Sequence, residues 1–209
     1  MKIKVCGMRD SLNIRDVENL HPDMMGFMLW PGSKRYVSCK PDYLPDLQRV
    51  GVFVNPEPEY VQVKAAEYRL NRIQLHGNES AQLCHIIHLI TGLPVIKAIS
   101  VDTAADFEQC AEYEQEDAVD MLLFDTKCSG WGGSGREFEW SLLQSYHGSK
   151  QFLLAGGIGP DMEDRIMSIR HPLFAGIDLN SRFETEPALK DITKLSIFIN
   201  NIRNYEQNK

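Results

Sequence analysis

Short apolar or alternating runs begin near Lys2, Met24, Arg49, Arg72, Pro94, Asp120, Gln151 and Pro172, and each is followed by a stretch of helical character. The runs from Arg49 to Val54 and from Met121 to Phe124 are apolar nearly throughout, as expected for strands covered by helices on one side and by a filled interior on the other. Suitable capping residues precede the helical stretches: Asp10 or Ser11 before Leu12 to Leu20, Asn78 before Glu79 to Ile90, Asp102 before Ala104 to Glu116, and Pro160-Asp161 before a segment ending near Ile169. A last helix is expected from Ala188 to Arg203. Eight strand-helix units predict an α/β fold, a closed (βα)8 barrel of the TIM type, in a single domain over residues 1–209. An open doubly wound sheet fits less well, because Cys6-Gly7-Met8-Arg9 after the first strand is not a dinucleotide-binding glycine pattern. At 209 residues the chain is near the lower limit of about 200 for this barrel, so one helix should be degenerate, and Pro41 to Leu47 is the weak element.

Charge narrows the partners. A net charge of -7, with no run of five like charges, argues against nucleic acid or an anionic membrane as partner, so an anionic ligand must be held by local groups. The longest apolar stretches, such as Met24 to Trp30, are far below the roughly 20 residues that span a bilayer. Strand-like sequence begins at Lys2, so no signal peptide is expected ahead of the fold. Cysteines at 6, 39, 84, 110 and 128 form no paired or metal-ligand spacing, which fits reduced thiols in the cytoplasm. Nothing calls for an obligate partner, and either a monomer or a homodimer is compatible with the chain.

In such a barrel the chemistry lies at the carboxyl ends of the strands. Those ends carry Cys6, Pro31 to Arg35, Asn55, His76, Asp125, Gly156-Gly157 and Asp178 to Arg182. Cys6 reads either as a small space-filler or as a base. A free thiol, with a pKa of about 8.5, needs nearby positive charge to work at neutral pH, and Lys4 shares its face of the strand. Asp125 ends an apolar strand, where partial desolvation suits an acid, although capping of the next turn is an equal reading. Gln74 and His76 share a face, and His76 reads either as a ligand for polar substrate atoms or as a structural histidine bonded to a loop carbonyl. Gly156-Gly157 and the turn at Asn180-Ser181 follow the seventh and eighth strands, where backbone amides and a short helix N-terminus hold phosphate in this barrel class. Arg35 could clamp a carboxylate or phosphate with its planar fork. The connection from Asp125 to Trp140 contains Gly130, Gly132, Gly133 and Gly135, and its position makes it a candidate lid over residues 126–139.

Eight segments, in order along nearly the whole chain, resemble the phosphoribosylanthranilate isomerase family: Lys4 to Gly7, Pro31 to Tyr36, Val50 to Asn55, Gln74 to Gly77, Val95 to Ala98, Phe124 to Thr126 with Gly132 to Gly135, Leu154 to Gly157, and Asp178 to Glu184. The resemblance implies the same barrel and an Amadori rearrangement of N-(5-phosphoribosyl)anthranilate in tryptophan biosynthesis, with Asp125 as general acid and Cys6 as general base. The only partner it implies is a small phosphosugar substrate, with no metal and no organic cofactor. It further implies that Gly156, Gly157, Asn180 and Ser181 hold the phosphate, that Arg35 fixes the anthranilate end or the sugar, and that Asp178 supports the polar interior, paired with Lys4. Met8-Arg9 and Arg182 depart from the family pattern, the last standing where glycine is common. Two other readings remain: a metal-dependent phosphosugar epimerase on the same barrel, and a catalytically silent barrel that binds a phosphorylated metabolite.

Overall fold

A computed structural model describes residues 1–126 and 140–207. Strands β1 (Lys2–Val5), β2 (Met24–Met28), β3 (Gln48–Phe53), β4 (Arg72–Leu75), β5 (Val95–Val101), β6 (Val119–Thr126), β7 (Phe152–Leu154) and β8 (Phe174–Leu179) pair in parallel in sequence order and close into a barrel, β8 returning to β1. The eightfold barrel expected from the pattern is therefore the fold. Side chains alternate along each strand. Met24, Val50, Ile96, Ala98, Met121, Leu123, Leu153 and Ala155 fill the interior, while their neighbours, such as Ile3, Val5, Phe27, Ile73, Leu122, Phe124 and Ile177, face the surrounding helices in a second, larger core. The same parity turns Lys4, Gln74 and Asp178 inward, where they are buried among the apolar interior residues.

Helices α1 (Ser11–Glu18), α2 (Pro58–Glu67), α3 (Ala81–Thr91), α4 (Ala111–Glu114), α5 (Glu163–Met167) and α6 (Ile192–Gln207) lie outside the strands. Asp10 caps α1, its Oδ1 accepting from the amides of Leu12 and Asn13 at 3.0 and 2.8 Å. Between β2 and β3 no helix forms, in keeping with the weak pattern of Pro41 to Leu47.

Several boundaries differ from expectation. Ser80, not Asn78, caps α3, because Glu79 turns inward to bind Lys97 and the Asn78 amide donates to Asn55. After Asp102 the chain forms a 3-10 helix, Ala104–Cys110, before the short α4. Asp106 draws the amides of Asp102 and Thr103 onto one carboxylate oxygen, tightening that first turn. α5 starts at Glu163 rather than after Pro160-Asp161, since Asp161 has φ 67° and cannot begin a right-handed helix. The last helix begins at Ile192: Leu189–Lys190 instead forms strand β10, antiparallel to β9 (Glu184–Glu186). The side chain of Asn13 brackets the Lys190 backbone from both sides, at 3.0 and 2.8 Å, which holds that segment out of the helix.

Candidate active site

Cys6 follows β1 on the inward parity set by Lys2 and Lys4, and its amide donates to the Leu179 carbonyl at 2.9 Å. The residue is buried, and β2 makes room for it. A Cβ on Gly26 would lie 2.8 Å from the Cys6 sulfur, so only glycine leaves the thiol its place. Two lysines stand near. Lys4 Nζ donates to Asp178 Oδ2 at 2.7 Å inside the barrel. Lys190 Nζ, also buried, donates to Asn180 Oδ1 at 2.9 Å and to Glu184 Oε1 at 2.7 Å.

Glu184 in turn grips Arg35, accepting from Nε at 2.8 and 3.0 Å and from Nη2 at 2.6 Å. The Arg35 stem and the Asn180 amide oxygen press on Gly7, next to the thiol: a Cβ there would meet them at 2.7 and 2.8 Å, and Gly7 has φ 77°. These contacts set the electrostatics. Burial pushes the Cys6 thiol up, and Asp178 adds to this, while Lys4 and Lys190 pull it down without cancelling the effect. Burial disfavours the Lys4 ammonium, yet Asp178 and Cys6 hold it above the ordinary lysine value. Burial also works to raise the Glu184 carboxyl, but Arg35 and Lys190 outweigh it and keep it below the usual carboxylate range.

Asp125 lies on the inward parity of β6, two residues beyond the interior Leu123. His76 follows β4 on the parity of the buried Gln74. The three side chains meet: Gln74 Nε2 is 3.0 Å from His76 Nδ1, and His76 Nε2 is 3.2 Å from Asp125 Oδ2. Among the described residues His76 thus has a side-chain amide and a carboxylate beside its two ring nitrogens, and no hydrogen bond to a loop carbonyl. Electrostatically the two sides connect through Asp178, whose carboxyl feels Lys4 on one side and His76 and Asp125 on the other.

After β7, Gly156 and Gly157 both take positive φ, 80° and 70°, a turn that favours glycine. Their N–H groups join no backbone hydrogen bond among the described residues. Asn180 and Ser181 open the neighbouring turn, a 3-10 stretch of only three residues, Ser181–Phe183, rather than a longer helix. The Asn180 side chain is engaged by Lys190, and the exposed Arg182 stem lies over Gly159, at 3.4–3.5 Å from where its Cβ would be. The glycine-bearing connection expected to act as a lid falls at 127–139, outside the described residues, as does Cys128. Among the described residues no group of three or more His, Cys, Asp and Glu side chains is placed to hold a metal ion, and no helix is long and apolar enough to cross a membrane.

Sequence reasoning placed Cys6, His76, Asp125 and Asp178 at the carboxyl ends of strands, and put Lys4 on the face of Cys6 and Gln74 on that of His76 by parity. It missed Lys190, which the pattern assigned to a helix, and the reason for Gly26. It also missed the pairing of Lys97 with Glu79 at 2.9 Å, which ties the turn after β4 to β5 through the Gly77 carbonyl at 2.7 Å.

The model of the family described as N-(5'phosphoribosyl)anthranilate (PRA) isomerase matches residues 3–201. The chain is 49% identical to an N-(5'-phosphoribosyl)anthranilate isomerase of Parabacteroides distasonis, over 97% of this chain and 93% of the relative. It is 47% identical to that of Phocaeicola vulgatus, over 97% and 98%. The crystal structure of phosphoribosyl anthranilate isomerase from Thermotoga maritima superposes with a TM-score of 0.82 at 32% identity, covering 98% of this chain and 99% of that one. A further structure, an isomerase in complex with reduced 1-(o-carboxyphenylamino)-1-deoxyribulose 5-phosphate, gives 0.81 at 30% identity, with coverage of 98% and 99%.

Proposed function

The chain belongs to the N-(5'-phosphoribosyl)anthranilate isomerase family and is an isomerase, and from that premise we propose that it rearranges N-(5-phosphoribosyl)anthranilate to 1-(2-carboxyphenylamino)-1-deoxyribulose 5-phosphate, with Asp125 as general acid and Cys6 as general base. Asp125 gives its proton to the ribose ring oxygen. The C1–O bond breaks as the anthranilate nitrogen lone pair forms the C1=N bond of a Schiff base. The Cys6 thiolate then takes the proton from C2, the electron pair forms C1=C2, and the iminium nitrogen regains its lone pair. The resulting enolamine gains a proton at C1 as its C2 hydroxyl becomes the ketone. The substrate's own nitrogen is the electron sink at each stage.

Gly156, Gly157, Asn180 and Ser181 hold the phosphate, and backbone amides suit it in a protein of net charge -7. Arg35 meets the anthranilate end with Nη1, the edge of its fork that Glu184 leaves without a partner among the described residues. His76 and Asp178 act through the groups they touch. The observation that carries this reading is the shared inward parity of Cys6 and Asp125 at the carboxyl ends of β1 and β6, so that a thiol near two lysines and a carboxyl beside a histidine face one barrel mouth.

The test is turnover of freshly prepared phosphoribosylanthranilate, followed by the change in anthraniloyl fluorescence. Cys6→Ser and Asp125→Asn should each lower kcat by at least about a hundredfold, the scale of removing a general acid or base, while product still binds. Retention of wild-type turnover by either variant removes that residue from the mechanism.

A further inference from the structure

Gln74 is fully buried on β4, and among the described residues its side chain bonds one neighbour. Its amide nitrogen lies 3.0 Å from His76 Nδ1, and its carbonyl oxygen has no partner among the described residues. An amide NH2 can only donate, so it requires a lone pair on Nδ1. A neutral imidazole carries one ring proton, which then belongs on Nε2, and Nε2 is the atom facing Asp125 Oδ2 at 3.2 Å. We propose that Gln74 is a positioning residue that locks His76 in the Nε2–H tautomer, so that the ring turns an N–H rather than a lone pair toward Asp125.

The consequence concerns where the acid's proton goes. With Nε2 protonated, the ring cannot take that proton from Asp125, which keeps it for the substrate, and the same N–H stabilises the carboxylate left after transfer. With the opposite tautomer, a basic nitrogen would face Asp125 and compete for the proton. Strand geometry makes the arrangement possible: residues 74 and 76 lie two apart on one inward face, and β6 brings Asp125 to it.

The inference rests on the reading of Asp125 as the acid, and its test separates the two. The full chain is labelled with 15N histidine, and long-range proton-nitrogen correlation spectra are recorded at neutral pH. The His76 ring is assigned by its disappearance in His76→Gln. The wild type should show the Nε2–H pattern. Gln74→Glu places an acceptor of the same size against Nδ1 and should move the proton there, lowering kcat at least tenfold with KM changed less than threefold. Gln74→Met removes the amide at similar volume and should give mixed tautomers with a smaller loss of kcat. Should Gln74→Glu not fold, the wild-type spectrum and Gln74→Met still decide the matter. A wild-type Nδ1–H pattern, an unchanged ring spectrum in the variants, or full kcat despite an altered tautomer would overturn the proposal. If instead Asp125→Asn keeps its turnover while the wild-type ring reads Nε2–H, the acid assignment fails and the tautomer lock stands as structure alone.

Discussion

The β1–β8 side of the barrel mouth buries its charges, whereas the β4–β6 side leaves them partly open to water. Cys6 is 3% exposed and Lys4 0%, while the His76 and Asp125 side chains are exposed by more than a quarter. The group proposed to work as an anion therefore sits where an anion is disfavoured, and the protein answers with neighbouring cations. Lys4, Lys190 and Arg35 surround it, against the carboxylates of Asp178 and Glu184. Lys4 and Lys190 pull the thiol down, but burial and Asp178 outweigh them. On the side of the proposed acid there is no such enclosure: Gln74, His76 and Asp125 follow one another at 3.0 and 3.2 Å toward the open mouth.

The sharpest way to break this contrast is to remove one partner on each side. Asp178→Ala strands the buried Lys4 ammonium and should cost about 3–5 kcal/mol in urea unfolding, whereas His76→Ala, at a partly exposed pair, should cost no more than about 1 kcal/mol. The double variant Lys4→Met with Asp178→Leu should recover most of the stability, since apolar replacement of a buried pair is close to neutral, but not the turnover. Equal costs for the two single variants would mean that the two sides do not differ in the way described.

A smaller effect should come from Gly26→Ala. The added methyl would stand 2.8 Å from the Cys6 sulfur and 3.2 Å from its Cα, so either the thiol or β2 must move. Overpacking of this kind costs about 1–3 kcal/mol. Because the clash falls on the proposed base, kcat should drop more than the lost stability explains, while binding of inorganic phosphate, proposed for Gly156-Gly157, should hold. Undiminished kcat at reduced stability would show that the position of the thiol is not critical.

The eight strand-helix units made the barrel legible before any coordinates, and the period of two put Lys4 with Cys6 and Gln74 with His76, because parity decides which side chains share a face of a closed sheet. The second shell of charge was not legible. Glu184 meets both Arg35 and Lys190 only because the chain after β8 doubles back as β9 and β10, and the apolar-polar pattern there is too short to distinguish a two-residue strand from the first turn of a helix. The reason for Gly26 lies in a thiol after the neighbouring strand rather than in its own sequence, so nothing near it in the chain points to it. Lys97 faces the helical layer rather than the interior, and its partner Glu79 occupies what reads as the first turn of α3.

The finest test of the contrast is the pH dependence of kcat/KM, which reports groups in the free enzyme. Burial raises the Cys6 thiol, so the thiolate is scarce at neutral pH, and activity should fall as pH drops and climb as pH rises past the ordinary thiol value of about 8.5. Lys190 opposes that shift from a buried position. Lys190→Met should therefore move the limb to still higher pH, with kcat at the alkaline plateau less affected than kcat at neutral pH. A limb that stays fixed in Lys190→Met, in a protein shown to be folded, would mean that the lysine's charge does not reach the sulfur and that Lys4 alone holds the thiolate. A profile flat through the thiol range would remove Cys6 as the base. An Asp125-side variant such as Gln74→Met should leave this limb where it is, because the group that titrates there belongs to the other side of the mouth.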